Sequence, residues 1–313
     1  MRRFLIDLLK WTVLAAAVYV VLLVVAGSVS RAGQGRNLQY IRGSDEMLLH
    51  RVRDIDTSAR YDVLVIGSSH AYRGFDPRIF QRHGLRMFNL GSGAQTPAQA
   101  RVLLHHHLHR IRPRLVLMEM YPHAFAQSGI EPALDVISND RVDLATVRMA
   151  LGTRHVTVLN TLVYALFRQV LGGGDMDAGP LVRANGDRYI SGGYVQRGDT
   201  TYRPGRTTPY TAWEPLPAQQ RHFAANVAAV RAAGADVVLV HTPVMPGNRL
   251  IGPAHDAFTA YCTAIAPYYD MSDLFAPGDT ALFYDGHHLT QRGVERFNTE
   301  LVRRLGADGH LAR

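Results

Sequence analysis

Five short runs rich in Val, Leu and Ile, at 62–66, 86–90, 114–120, 236–241 and 268–271, most limit what this chain can fold into. They are nearly continuously apolar rather than alternating, which is how strands buried on both faces of a parallel sheet read. Helix-like stretches separate them: 97–109, 217–233, which stops at Gly234, and a final one at 291–305. Strand–helix–strand order predicts a doubly wound α/β domain with about five mostly parallel strands flanked by helices. One interval, 121–214, breaks the rhythm. It offers helices at 141–151 and 156–171 and a Gly- and Arg-rich part, 172–206, suited to a loop or hairpin. Its position predicts a mainly helical insertion over the carboxyl edge of the sheet, where open α/β sheets bind ligands.

The N-terminus sets a second constraint. Trp11 to Gly27 carries no charge, and Arg2, Arg3 and Lys10 precede it. About 20 apolar residues cross a bilayer core as a helix, and Lys10 can snorkel to the headgroups. The reading is a cytoplasmic 1–10, a transmembrane anchor at 11–27, a stalk with a short helix near 45–52 within 28–60, and a catalytic domain over 61–313. A cleaved signal peptide is the alternative, with small residues in "VVAGSVS", but the apolar stretch exceeds the usual h-region. Basic flanks place the N-terminus inside, so the rest is exported on either reading. The expected location is the inner membrane, single-pass, with the domain on the periplasmic side.

The formal charge of +8 is almost all arginine, since Lys10 is the only lysine. The arginines are scattered, with no basic cluster interleaved with aromatics, which points away from nucleic acid and leaves anionic lipid or polysaccharide as compatible partners. The single cysteine, Cys262, lies in an apolar helix-like stretch and reads as a structural thiol.

The chemistry-bearing residues fall at the expected strand ends. The first strand runs into "IGSSHAYRG", the second into "NLGSGAQ", and "FYDGHHLT" precedes the last helix. A serine hydroxyl needs an adjacent base; a histidine supplies it, and a carboxylate fixes its tautomer. Asp285 and His288 are close enough for one turn to carry both. Backbone N–H groups at Ser69 and Gly91 are candidates for stabilising an oxyanion.

These blocks resemble those of the SGNH (GDSL-type) hydrolase superfamily over about 60–120 and 235–306. The resemblance implies Ser69 as nucleophile, Asp285 as acid, His288 as base and Gly91 as the block-two glycine. It departs at block three, where "RLVLMEMYPHAF" lacks the usual oxyanion-hole asparagine, so Gln95 is the substitute candidate. The anchor, the Glu-x-x-Pro-like third strand end and "FYDGHHLT" are similar to the membrane-anchored DltD-like and alginate-acetylation-like branch. That likeness implies a membrane-bound O-acyltransferase partner, a polysaccharide or other glycan acceptor, and no cofactor. The chemistry implied is O-acyl (acetyl) transfer through acyl-Ser69, with esterase/deacetylase action or a non-catalytic accessory role as alternatives.

Neighbouring residues keep two readings each. Ser68 competes with Ser69, and His287 with His288; block spacing favours the second of each pair. His70, Arg73, His241 and His287 are candidates for substrate contact, and Asn89 for bonding its own turn. His105 and His109, at i,i+4 in "LLHHHLHR", are a formal metal pair, but no carboxylate accompanies them and serine chemistry needs no metal.

Overall fold

A computed structural model describes residues 1–29, 34–35, 37–44, 46–58, 60–171, 178–198 and 201–311. Residues 172–177 and 199–200 of the Gly-rich stretch lie outside them. In chain order, helix α1 (Arg2–Val29) leads to two-residue strands β1 (Gln34–Gly35) and β2 (Leu38–Gln39), then α2 (Leu48–Asp54), β3 (Val63–Ile66), α3 (Ser69–Gly74) and α4 (Pro77–Arg82). Next come β4 (Met87–Asn89), α5 (Pro97–Ile111), β5 (Leu115–Glu119) and the helices α6 (Ile130–Asn139), α7 (Leu144–Thr153) and α8 (Val156–Val170). The chain continues with strands β6 (Arg188–Ile190) and β7 (Tyr194–Gln196), α9 (Pro217–Ala232), β8 (Asp236–His241), α10 (Pro253–Thr263), β9 (Tyr268–Asp270) and α11 (Gln291–Ala307).

The fold is α/β: a five-stranded sheet in the order β4-β3-β5-β8-β9, every pair parallel, with helices on both faces. Alternation along each strand builds two cores. Leu64, Ile66, Val116 and Met118 join the side that carries α5, α6, α8 and α9. Val63, Val65, Leu115 and Leu117 join Phe75, Phe80, Phe297 and Leu301 on the side of α3, α4 and α11. Both faces are apolar, so the strands read as unbroken hydrophobic runs. Local signals fix the helix ends. The Asp76 side chain caps α4 ahead of Pro77, Asp143 and Thr146 form a capping box on α7, and Thr290 Oγ1 accepts from Gly293 N at α11.

The strand order reverses at β3: β4 lies on one side of it and β5 on the other. Ligand crevices of open α/β sheets form beside such a reversal, at the carboxyl ends. Ser69 follows the end of β3, and Glu119 ends β5.

Two expectations are corrected. The 28–60 segment is not a stalk, because Leu38, Met47, Leu48, Leu49 and Ile55 are buried and Arg51 is fully so. Arg51 donates to Glu46 O and, through Nε, to Gly91 O at 2.8 Å, and it lies 4.3 Å over the Tyr72 ring. Nor does the whole 121–214 insertion overlie the sheet edge. Helices α6, α7 and α8 contact one another, α2, α5 and α1 instead. The β6–β7 hairpin packs on α3, and the segment after it reaches the turn before α11 through Arg203 N, which donates to Tyr284 O.

Helix α1 is apolar enough to cross a bilayer by length and composition, with a mean hydropathy of 2.5 over its best window. Its last turns touch the body: Tyr19 Oη donates to Asn160 Oδ1 at 2.9 Å, and Leu23 is buried.

Candidate active site

Ser69 opens α3, and Ser68 is its N-cap. The turn is held from below by Glu119. Its Oε2 accepts from Ser68 N at 2.9 Å and from Ser68 Oγ at 2.8 Å. Gly67 is required for this approach, because a Cβ there would lie 2.5 Å from the Glu119 Cβ. Burial alone would raise the Glu119 carboxyl; the His70 ring and the Ser68 donors outweigh it and hold it below its ordinary value.

Ser69 Oγ lies 2.8 Å from His288 Nε2, and His288 Nδ1 lies 2.8 Å from Asp285 Oδ2. Asp285 Oδ1 accepts from the backbone N–H groups of His287 and His288, at 2.9 and 2.8 Å. One turn therefore fixes the carboxylate and aims it at the ring. With Nδ1–H donated to Asp285, Nε2 is left as the acceptor for the serine proton. Burial depresses His288 to about 4 against the opposing pull of Asp285, so the ring is neutral and basic near neutrality. For Asp285, the His288 hydrogen bond and nearby imidazoles outweigh burial and hold the carboxyl far down. The Tyr284 ring stacks on His288, with centroids 5.4 Å apart at 4°.

Of the two serines, Ser69 faces the imidazole while Ser68 bonds Glu119; of the two histidines, His288 bonds Ser69. His287 Nδ1 instead lies 2.9 Å from His70 Nε2, and His70 Nδ1 lies 3.5 Å from Glu119 Oε1. A second row, Glu119–His70–His287, thus runs beside the first, with the His287 and His288 centroids 4.0 Å apart. Tyr121 closes its side, with its ring edge-on to His70 and parallel to His287.

The remaining candidates sit differently from expectation. Gly91 N–H donates to Asn89 Oδ1 at 3.0 Å, so it is already engaged; its lack of a Cβ admits Ala71 and Gly67 O instead. Gln95 Nε2 donates to Leu90 O and Ser92 Oγ inside the protein, which engages both its hydrogens. Neither group is free as an oxyanion donor in this arrangement. Ser69 N–H, by contrast, has no acceptor among the described residues. Asn89 holds its own turn and also donates to Ala71 O at 2.7 Å. Arg73 is paired with Asp187 at 2.9 Å, which Arg197 also approaches at 3.3 Å. His241 is buried against Phe258 rather than lining an open site, and burial depresses it to about 4.

Sequence reading gave no role to Asn248 or to Glu119. Asn248 Nδ2 and Met245 N both donate to Gly286 O, in the turn that carries Asp285 and His288. Arg203 N donates to Tyr284 O, and Gly205 packs against Gly286.

Two groups of side chains have metal-ligand spacing among the described residues: His70, His287 and His288, and separately His106, His107 and Asp140. The first is already engaged by Ser69, Asp285 and Glu119. The second corrects the choice within "HHH": His105 and His109 are exposed, while His106 and His107 turn inward onto Asp140 at 2.8 and 2.9 Å. Cys262 is buried, and burial pushes its thiol up.

No family model matches the sequence, and no curated protein does. Among solved structures, the chain is similar to a candidate acylhydrolase from Bacteroides fragilis NCTC 9343, at 14% identity over 82% of this chain and 94% of that one, with a TM-score of 0.37. It is also similar to a GDSL-like lipase from Bacteroides thetaiotaomicron VPI-5482, at 13% identity over 82% of this chain and 98% of that one, with a TM-score of 0.37. So loose an overlap assigns neither fold nor activity, and the fold rests on the strand order above.

Proposed function

We propose that this chain is an exported, membrane-anchored SGNH-like serine enzyme that transfers an acyl group, most simply acetyl, to hydroxyls of an envelope or extracellular polysaccharide. The observation that carries the reading is the unbroken Ser69–His288–Asp285 hydrogen-bond row at the reversal point of a parallel sheet. In the first step His288 Nε2 takes the Ser69 proton as Oγ attacks the donor carbonyl. The leaving group departs with that proton, giving acyl-Ser69. In the second, His288 takes the acceptor hydroxyl's proton as that oxygen attacks the acyl carbon. Ser69 then leaves and regains the proton. Asp285 holds the ring and stabilises the imidazolium in both steps. Ser69 N–H is the donor we assign to the developing oxyanion.

Export and anchoring draw support from α1 and its basic leading flank. An anchored enzyme is well placed to receive acyl groups from a membrane-bound O-acyltransferase, the partner proposed here. Water in place of the glycan makes the same triad an esterase.

The test is labelling with a fluorophosphonate. Wild type should label and Ser69→Ala should not; an unlabelled wild type would leave the non-catalytic accessory role instead. Partition of acetyl from p-nitrophenyl acetate then decides the acceptor. Acetylated glycan in the presence of a polysaccharide supports transfer, whereas release of acetate unaffected by any glycan makes the protein an esterase.

A further inference from the structure

One cavity shares no lining residue with the Ser69–His288–Asp285 row and gathers five arginines. It measures about 400 Å³ and is lined by Arg42, Arg53, Arg110, Arg141 and Arg168; Arg53 and Arg168 have partners of their own, and among the described lining residues Asp140 is the sole carboxylate. The carboxylate is already engaged: one oxygen takes His106 and His107, and the other takes the backbone N–H of Arg141. Arg110 donates to His107 rather than to an acid, at 3.1 Å. The guanidiniums of Arg42 and Arg141 donate to no described residue, and Arg42 Nε is buried. Guanidiniums gathered around one space repel, and a buried donor without an acceptor is costly. An anion among them removes both penalties, and arginine forks match phosphate oxygens.

The cavity's position says which anion. Tyr40 lines it and packs edge-on against Tyr164, with centroids 5.3 Å apart. Tyr164 also meets Gly27 of α1, where a Cβ would lie 2.6 Å from the ring. Tyr19 meets Asn160 and Gly27 meets Tyr164, so α8 ascends in the same sense as α1. Arg168, one turn past Tyr164, therefore lies beyond the apolar span, at headgroup height if α1 crosses the bilayer.

We propose that this cavity binds the phosphodiester of an anionic phospholipid headgroup. The inference rests on the anchor reading above but not on the triad. Phosphatidylglycerol is the probe. The full chain, in mixed micelles, should retain phosphatidylglycerol over phosphatidylcholine in native mass spectrometry. Arg42→Gln/Arg141→Gln should weaken that retention by about fivefold per arginine removed, while Arg221→Gln/Arg292→Gln, outside the cavity, should not. Hydrolysis of p-nitrophenyl acetate should be unchanged in both. Equal retention of the two lipids, or equal loss in both double variants, overturns the proposal. So does tight binding of soluble glycerol phosphate, or of a polyuronate oligosaccharide, that only Arg42→Gln/Arg141→Gln abolishes without any lipid preference. Those outcomes give the cavity to a free phosphate or to the glycan. Carbonate extraction of the chain from membranes keeps the two readings apart. A released chain fails the anchor and takes this inference with it, whereas an integral chain with no lipid preference fails only the headgroup site.

Discussion

Ser68 and Ser69 are neighbours in sequence but answer to different partners: one ties the turn to Glu119, the other meets His288. Their roles separate in experiment. Asp285→Asn keeps the shape but lets an amide N–H face His288 Nδ1, which favours the wrong tautomer. We expect kcat to fall by about 10⁴-fold with Tm nearly unchanged. In wild type, kcat/KM should rise as pH climbs through about 4, where His288 loses its proton. In Asp285→Asn that limb should move to lower pH, since the carboxylate is what pulls the ring upward; a limb that stays put would argue against the His288–Asp285 pairing in catalysis. Gly67→Ala forces a Cβ into Glu119, and overpacking of this kind costs about 1–3 kcal/mol. We expect a lower Tm together with lost fluorophosphonate labelling, and a variant of wild-type stability would show that the turn can relax. The serine, the aspartate and the histidine were legible because each sits in a short local motif. Glu119 stood out only as the first residue of the Glu-x-x-Pro-like strand end; its contact with the Ser68 turn exists only once β5 lies beside β3, and no spacing within the chain announces that neighbour.

At the scale of elements, the Asp285–His288 turn is carried by others. Gly286 O accepts from Asn248 Nδ2 at 3.0 Å and from Met245 N at 2.9 Å, both in the loop after β8. Asn248→Ala leaves that carbonyl with one donor, at a cost of about 1–3 kcal/mol. It should lower kcat more than it raises KM, as His288 loses its fixed position; a change in KM alone would show that Asn248 serves substrate binding instead. The strands were readable from composition, because burial on both faces leaves an unbroken apolar run. Helix α6 was missed: its buried residues Ala133, Val136 and Ile137 pack with neighbours distant in sequence, and Pro132, which its first turn tolerates, reads in sequence as a helix breaker. The supposed stalk was misread for the opposite reason. Arg51 and Glu46 look like linker residues, yet they are held inside by backbone carbonyls and by Tyr72.

For the molecule as a whole, histidine burial sets the response to acid. His50, His109, His123, His222, His241, His287 and His288 are all depressed, mainly by burial, whereas His106 and His255 are raised, with carboxylate partners outweighing burial. A depressed histidine favours the fold above its unfolded value near 6.5, and that contribution is lost as pH falls toward its folded value. A raised one acts in the opposite sense, being fully present below 6.5 and lost above its folded value. Burial also raises Glu46, to about 7, and Asp135, and these favour the fold as pH falls; we expect the seven histidines to outweigh them and Tm to fall as pH drops from about 6.5 to about 4, measurable by calorimetry, and a flat Tm across that window would contradict it. Arg51 carries a further consequence for a soluble form of the protein. Its guanidinium ties the segment that follows the apolar helix to Gly91 O, beside the turn that carries Ser69. Trimming the chain to begin at Tyr61 would take away Met47, Leu48 and Ile55 along with it, leaving one wall of the core and the underside of the site open to water. A soluble enzyme should therefore be sought by cutting within the apolar helix, so that everything from Leu38 onward is kept. The shorter fragment should aggregate even with its triad intact in sequence.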